Sequence, residues 1–197
     1  MMAKPTNAII VHGTCEQSEY FSPDHPALSN SHWLPWIQKQ LLIKGIATQT
    51  PEMPKAYDPV YTVWKRELER FDISATTLLI GYSCGAGFLL RWLSENSVRI
   101  AKLILVAPWL DPDKTHIRGF FEFEIDARLD ARVNDIHLLV SNDDHPSILK
   151  SVGQIIDTLP GIGVHRLDRL GHFTSKDLGS TAFPQLRAIA LDETEAE

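Results

Sequence analysis

Short apolar runs punctuate the chain at Ala8 to Val11, Ile46 to Thr50, Thr77 to Ile80, Lys102 to Val106, Ile136 to Val140 and Gly163 to Leu167. Most carry apolar residues without the alternation that one solvated face would impose, which is the pattern of strands buried on both faces. Between them the period changes to that of a helix. Trp33, Leu34, Ile37 and Leu41 form one stripe in a helix over about 33 to 44, with Gly45 placed to stop it. Val60, Val63, Trp64, Leu68 and Phe71 form a second stripe, and Phe88, Leu89, Leu90, Trp92 and Leu93 mark an almost wholly apolar third helix. Ile148, Val152, Ile155, Ile156 and Leu159 share a face of the fourth, and Phe183, Leu186, Ile189 and Ala190 share a face of a fifth over about 181 to 190.

Strands that alternate with helices predict a mostly parallel sheet of about six strands, covered on both faces by right-handed crossovers. The expected fold is a three-layer α/β/α sandwich. In such sheets ligands gather beyond the carboxyl ends of the strands, so the residues just after each apolar run are where chemistry is expected. Two irregular stretches interrupt the pattern: a polar, proline-containing one over 15 to 31, and one over 111 to 134 that is long for a crossover. The latter holds Gly119-Phe120-Phe121-Glu122-Phe123, which makes residues 117 to 132 a candidate cover for the site, and whether they act as a lid is left open by the sequence.

Composition sets bounds on these readings. With 197 residues, 44% hydrophobic and 22% charged, the chain is expected to be one globular domain over 1–191 with a disordered acidic tail over 192–197. The net charge of −6 is spread without any lysine or arginine run, which argues against nucleic acid as a partner. No apolar run approaches the roughly 18 residues of a membrane span, and the polar start Met1 to Ala8 argues against export. Cys15 and Cys84 are the only cysteines. They read as free thiols in a reducing setting, so a cytoplasmic monomer or small homo-oligomer is expected.

The third strand ends in Gly81-Tyr82-Ser83-Cys84-Gly85, directly before the apolar helix. Gly-x-Ser-x-Gly between a strand and a helix is the pattern of a nucleophile elbow, which lifts a serine hydroxyl above the sheet on a strained turn. Serine needs a neutral imidazole to take its proton, and the imidazole needs a carboxylate to hold its tautomer. The chain order serine, acid, histidine is met by Ser83, by Asp143 or Asp144 after the fifth strand, and by His172 in Gly171-His172-Phe173 after the sixth. A short turn before the acid swings inward favours Asp144, with Asp143 as the alternative. The backbone N–H groups of Cys84, at a helix N-terminus, and of Thr14, after Val11-His12-Gly13, are the expected oxyanion donors. Trp109, Phe120, Phe123 and Phe173 are expected to line an apolar substrate pocket, with His12 close by, and core packing is the alternative for these aromatics. No set of ligands has metal-binding spacing, and neither a metal nor another cofactor is expected.

Taken in order, Ile10-Val11-His12-Gly13, His32-Trp33-Leu34-Pro35-Trp36, Met53-Pro54, the elbow, Val106-Ala107-Pro108-Trp109, Asp143-Asp144 and Gly171-His172-Phe173 span nearly the whole chain. In these motifs it resembles the small serine hydrolases of the retinoblastoma-binding protein nine-like family. The resemblance implies a compact alpha/beta-hydrolase fold without a large cap domain and a serine, aspartate and histidine triad. It places the acid at the second carboxylate of the pair, Asp144. The chain departs from that pattern in having His145 between the acid and Pro146, in the longer stretch over 15 to 31, and in lacking a leucine-x-cysteine-x-glutamate motif, so the retinoblastoma partner is not carried over. The expectation is a hydrolase of small esters, thioesters or activated amides. The contrasting expectation is a catalytically idle module that binds a protein or small ligand.

Overall fold

The computed structural model describes residues 4–117 and 119–193. Its strands are β1 (Asn7–Val11), β2 (Ala47–Gln49), β3 (Thr77–Tyr82), β4 (Lys102–Val106), β5 (Ile136–Ser141) and β6 (Gly163–Leu167). Its α-helices are α1 (Gln17–Tyr20), α2 (Leu34–Ile43), α3 (Tyr61–Leu68), α4 (Cys84–Glu95), α5 (Pro146–Thr158) and α6 (Pro184–Leu191), with single 3₁₀ turns at Leu28–Asn30 and Leu129–Ala131. The strands form one parallel sheet in the order β2-β1-β3-β4-β5-β6. The three-layer α/β/α sandwich expected from the alternation is thus the observed fold.

Burial follows from that order. β1, β3 and β4 lie inside the sheet, and Ile9, Ile10, Leu78, Leu79, Ile80 and Leu103 to Val106 are closed off from solvent. β6, at one edge, leaves most of its residues half-exposed, as a strand with one unpaired side should. The chain steps from β1 outward to β2, then returns past β1 to β3 and continues the other way. Right-handed crossovers therefore put α2 on the opposite face from α3 and α4. α2 meets α6 there, with Trp33 edge-on to Phe183, while Trp64 of α3 packs edge-on to Phe88 of α4. The crevice between β1 and β3 is the point where the strand order reverses, and it opens at their carboxyl ends.

Several expectations are corrected here. α3 begins at Tyr61, so Val60 is its N-cap, half-exposed, and the buried stripe is Tyr61, Trp64 and Leu68. Phe120 is a core residue, packed against Tyr61, Trp64 and Phe88, because Arg91 Nη1 holds the carbonyls of Gly119 and Phe120 at 2.6 and 2.7 Å against α4. Phe123 lines a separate cavity of about 570 Å³ beside Gln154 and Thr158 of α5. Among the described residues, none from 112 to 132 lines the pocket that holds Ser83, and the Arg91 bonds fasten Gly119 and Phe120 to the helical layer. Asp192 and Glu193, expected in the tail, close α6. Asp192 pairs with the buried Lys102, whose ammonium needs a carboxylate, and Glu193 pairs with Lys44 and Arg187. Residues 194–197 lie outside the described residues.

Candidate active site

Ser83 stands between β3 and α4 with φ 54° and ψ −120°, a conformation that a non-glycine residue holds only when its surroundings enforce it. Those surroundings are tight backbone approaches. A Cβ on Gly81 would come within 2.4 Å of Ala86 Cα, and one on Gly85 within 2.3 Å of the His12 carbonyl oxygen. Glycine at both positions lets the first turn of α4 press against β3 and the end of β1. On the other side the Ser83 N–H donates to the Val106 carbonyl at 2.9 Å, and the Trp109 N–H donates to the Ser83 carbonyl at 3.1 Å. The serine is thereby fixed at the carboxyl end of the sheet.

The Ser83 hydroxyl lies 3.0 Å from His172 Nε2. His172 Nδ1 lies 3.0 Å from each oxygen of Asp144, whose carboxylate is almost fully buried. Asp143 points elsewhere: its Oδ1 accepts from the Ser141 hydroxyl and, at 3.0 Å, from the Gly171 N–H. The Ser141 hydroxyl bond, followed by that backbone N–H, holds the Asp143 carboxyl below its ordinary range. Of the two candidate acids the fold brings Asp144 to the imidazole, with the turn after β5 swinging one residue past Asp143. This geometry lets the imidazole take the serine proton while the carboxylate fixes its tautomer.

The expected oxyanion donors belong to two segments next to Ser83. Cys84 is the first residue of α4, where an N–H has no carbonyl a turn earlier to bind. Gly13 packs so closely that a Cβ there would meet Ser83 Cβ at 3.0 Å, which brings the Thr14 backbone alongside, and Thr14 and Ser83 line one pocket. The Cys84 thiol is wholly buried. Burial, with the nearby Asp111 charge, pushes it well above the usual thiol range, so it stays protonated and is no rival nucleophile. Cys15 is pushed up to about 11 by partial burial and then by Glu19, Glu52 and Glu16. Among the described residues, no group of three or more His, Cys, Asp or Glu side chains is arranged to hold a metal ion.

A family model described as "Serine hydrolase" matches residues 23–190. The chain belongs to the serine hydrolase family. It is 26% identical over 178 residues to YdeN of Bacillus subtilis, named as a hydrolase, covering 84% of this chain and 90% of that protein. Among solved structures it resembles that of the B. subtilis ydeN product, with a TM-score of 0.79 at 22% identity over 95% of this chain and 98% of that one. More distantly it shares its fold with Est1E of Butyrivibrio proteoclasticus bound to ferulic acid, with a TM-score of 0.67 at 13% identity over 96% of this chain and 88% of that one. XC6422 of Xanthomonas campestris, described as an α/β serine hydrolase without a lid, has a TM-score of 0.60 at 14% identity, covering 98% of this chain and 82% of that one.

Within this family member, Trp109 lines the open pocket around Ser83 together with Ile148 and Ser147. That pocket holds about 520 Å³, and a smaller recess of about 160 Å³ shares Thr14, Ser83 and His172 with it and is lined also by Leu28 and His32. Phe173 is not at the surface of either. It follows His172 with φ 58°, is fully buried, and stacks on Phe183, so it anchors the histidine loop from below. His12 borders the recess, but its ring is only 1% exposed and both nitrogens are engaged: Nδ1–H donates to the Gly13 carbonyl at 2.7 Å and Nε2 accepts from the Met53 N–H at 2.8 Å. It shapes the Gly13-Thr14 loop and has no free group for a ligand. The site also contains residues that the sequence reading gave no role. The Tyr82 hydroxyl donates to the His172 carbonyl at 2.7 Å, and Asp177 accepts from the His172 N–H at 3.1 Å. An acidic residue five positions after the histidine was the available signal for Asp177; Tyr82 was visible only as a variable position of the elbow.

Proposed function

We propose that this serine hydrolase cleaves small carboxylic esters, thioesters or activated amides through an acyl-enzyme on Ser83. The unbroken line of contacts from Ser83 through His172 to Asp144 carries the reading, since an idle binding module has no need to keep a strained serine 3.0 Å from a carboxylate-held imidazole. The Ser83 oxygen attacks the acyl carbon as its proton passes to His172 Nε2. The resulting oxyanion is held by the N–H groups of Cys84 and Thr14. His172 then protonates the departing alcohol, thiol or amine, and the acyl group remains on Ser83. Water attacks in turn, giving a proton to His172, and the carboxylic acid leaves as Ser83 regains its hydrogen.

Trp109 and Ile148 offer the open pocket an apolar wall, which suits a compact, uncharged acyl or leaving group. The match to YdeN supports the hydrolase class, and the motif resemblance supports kinship with the retinoblastoma-binding protein nine-like group. No described helix is long and apolar enough to cross a membrane. The buried Cys84 and half-buried Cys15 fit a reducing compartment, the basis for proposing a cytoplasmic site of action on a small-molecule substrate. The test is reaction with a fluorophosphonate probe: labelling of the wild type that is lost in Ser83→Ala supports the acyl-enzyme, and an unlabelled, folded wild type would return the idle module as the better reading.

A further inference from the structure

The base loop is held by more than the buried acid. His172 has four polar groups, and all four are engaged: Nε2 with Ser83, Nδ1 with Asp144, the backbone N–H with Asp177 Oδ2 at 3.1 Å, and the backbone carbonyl with the Tyr82 hydroxyl at 2.7 Å. The last two act on the peptide and not on the ring. Tyr82 is buried at the end of β3, immediately before the nucleophile, with its ring centroid 5.2 Å from that of His172. Its hydroxyl therefore ties the base directly to the strand that carries the serine.

Asp177 closes the other side. Its Oδ2 also accepts from the Thr174 N–H at 3.1 Å and the Thr174 hydroxyl at 2.8 Å, and its own N–H donates to that hydroxyl at 3.2 Å. Gly171 fits against it with φ 48°, and a Cβ there would stand 2.8 Å from Asp177 Cγ, so the loop and the carboxylate are built to touch. The geometry points to Tyr82 and Asp177 as positioning residues that set the direction of the His172 ring by gripping its backbone from both ends. With N–H and carbonyl both pinned, neither flanking peptide plane turns freely, and the imidazole enters the site along one line. A displacement of about 1 Å in a reacting group can cost on the order of a hundredfold in rate, so the grip acts on turnover more than on substrate affinity.

The inference rests on His172 serving as the base for Ser83, and the experiment separates the two. Full-length wild type, Tyr82→Phe, Asp177→Asn and Asp177→Ala are compared in the rate of fluorophosphonate labelling at Ser83 and in the far-downfield proton resonance of His172 Nδ1–H held by Asp144. Tyr82→Phe removes one oxygen and leaves no cavity, while Asp177→Asn keeps an oxygen for the N–H groups. Tyr82→Phe and Asp177→Ala are expected to label about tenfold or more slowly with a weakened or shifted resonance, and Asp177→Asn within about threefold of wild type. If Asp177→Ala does not fold, Tyr82→Phe decides alone. A Tyr82→Phe variant that labels at the wild-type rate with its resonance unmoved overturns the inference and leaves the hydroxyl as a satisfied core group. Wild type that fails to label overturns the acyl-enzyme reading instead.

Discussion

The two carboxylates after β5 are adjacent in the chain, and their surroundings assign them different work. Asp144 is buried against the imidazole, whereas Asp143 ties the Ser141 and Gly171 ends of two loops together. Asp144→Asn is expected to lower kcat on an activated ester by on the order of 10⁴, through loss of the correct tautomer, while Asp143→Asn lowers it by less than about tenfold. Steady-state kinetics of the two variants checks this, and a larger loss at Asp143 would reverse the assignment. His12 gives a second expectation at this scale. Burial holds its pKa below 6.5, against weaker upward pulls from Gly13 and Glu52. Below pH 6.5 the unfolded chain therefore binds a proton that the native state refuses, so the contribution to stability is largest above that pH and declines as pH falls toward the folded-state value. The decline cannot exceed about 1.4 kcal/mol per pH unit for one proton. Urea unfolding at pH 7 and pH 5 should show a shallower pH dependence for His12→Leu than for wild type, although the variant starts less stable because the Met53 N–H loses its acceptor.

At the level of elements, the elbow works because a helix begins where a strand has barely ended. α4 starts one residue after Ser83, and its first turn lies against the carbonyls of Val11 and His12. Gly85→Ala would put a methyl within 2.4 Å of both oxygens, which are backbone and cannot swing aside. The expected outcome is a loss of stability of about 1–3 kcal/mol in urea titration, together with slower Ser83 labelling as α4 tilts and carries the Cys84 N–H with it. This part of the site was legible in the chain, since Gly-x-Ser-x-Gly, a preceding β-branched run and a following apolar stripe are all local signals. The aromatic residues were not legible in the same way. Phe120, Phe123 and Phe173 are apolar residues near polar ones, and only the path of the backbone decides that the first joins Trp64 and Phe88, the second faces α5 and the third stacks on Phe183. Arg91, whose guanidinium lies 3.6 Å from the Tyr61 ring centroid while holding the 119–120 carbonyls, fastens that segment to the helical layer; no periodicity reports such a contact.

For the molecule as a whole, topology was the most readable property. Alternating strands and helices imply a parallel sheet, and a parallel sheet implies a reactive edge at its carboxyl ends, so the positions of Ser83, Asp144 and His172 followed from where the apolar runs stop. What the pattern could not supply is how the loops at that edge hold one another, because the bonds of Tyr82 to His172 and of Asp143 to Gly171 join segments distant in sequence. The serine lies 89 positions before its histidine, and that histidine arrives only on the loop after β6, the last strand. A chain emerging from the ribosome thus carries its serine long before that histidine is made. On the acyl-enzyme reading proposed above, reactivity of Ser83 toward a fluorophosphonate waits until the loop after β6 has docked. The labelled fraction in a growing culture would then count finished molecules and not merely synthesised ones.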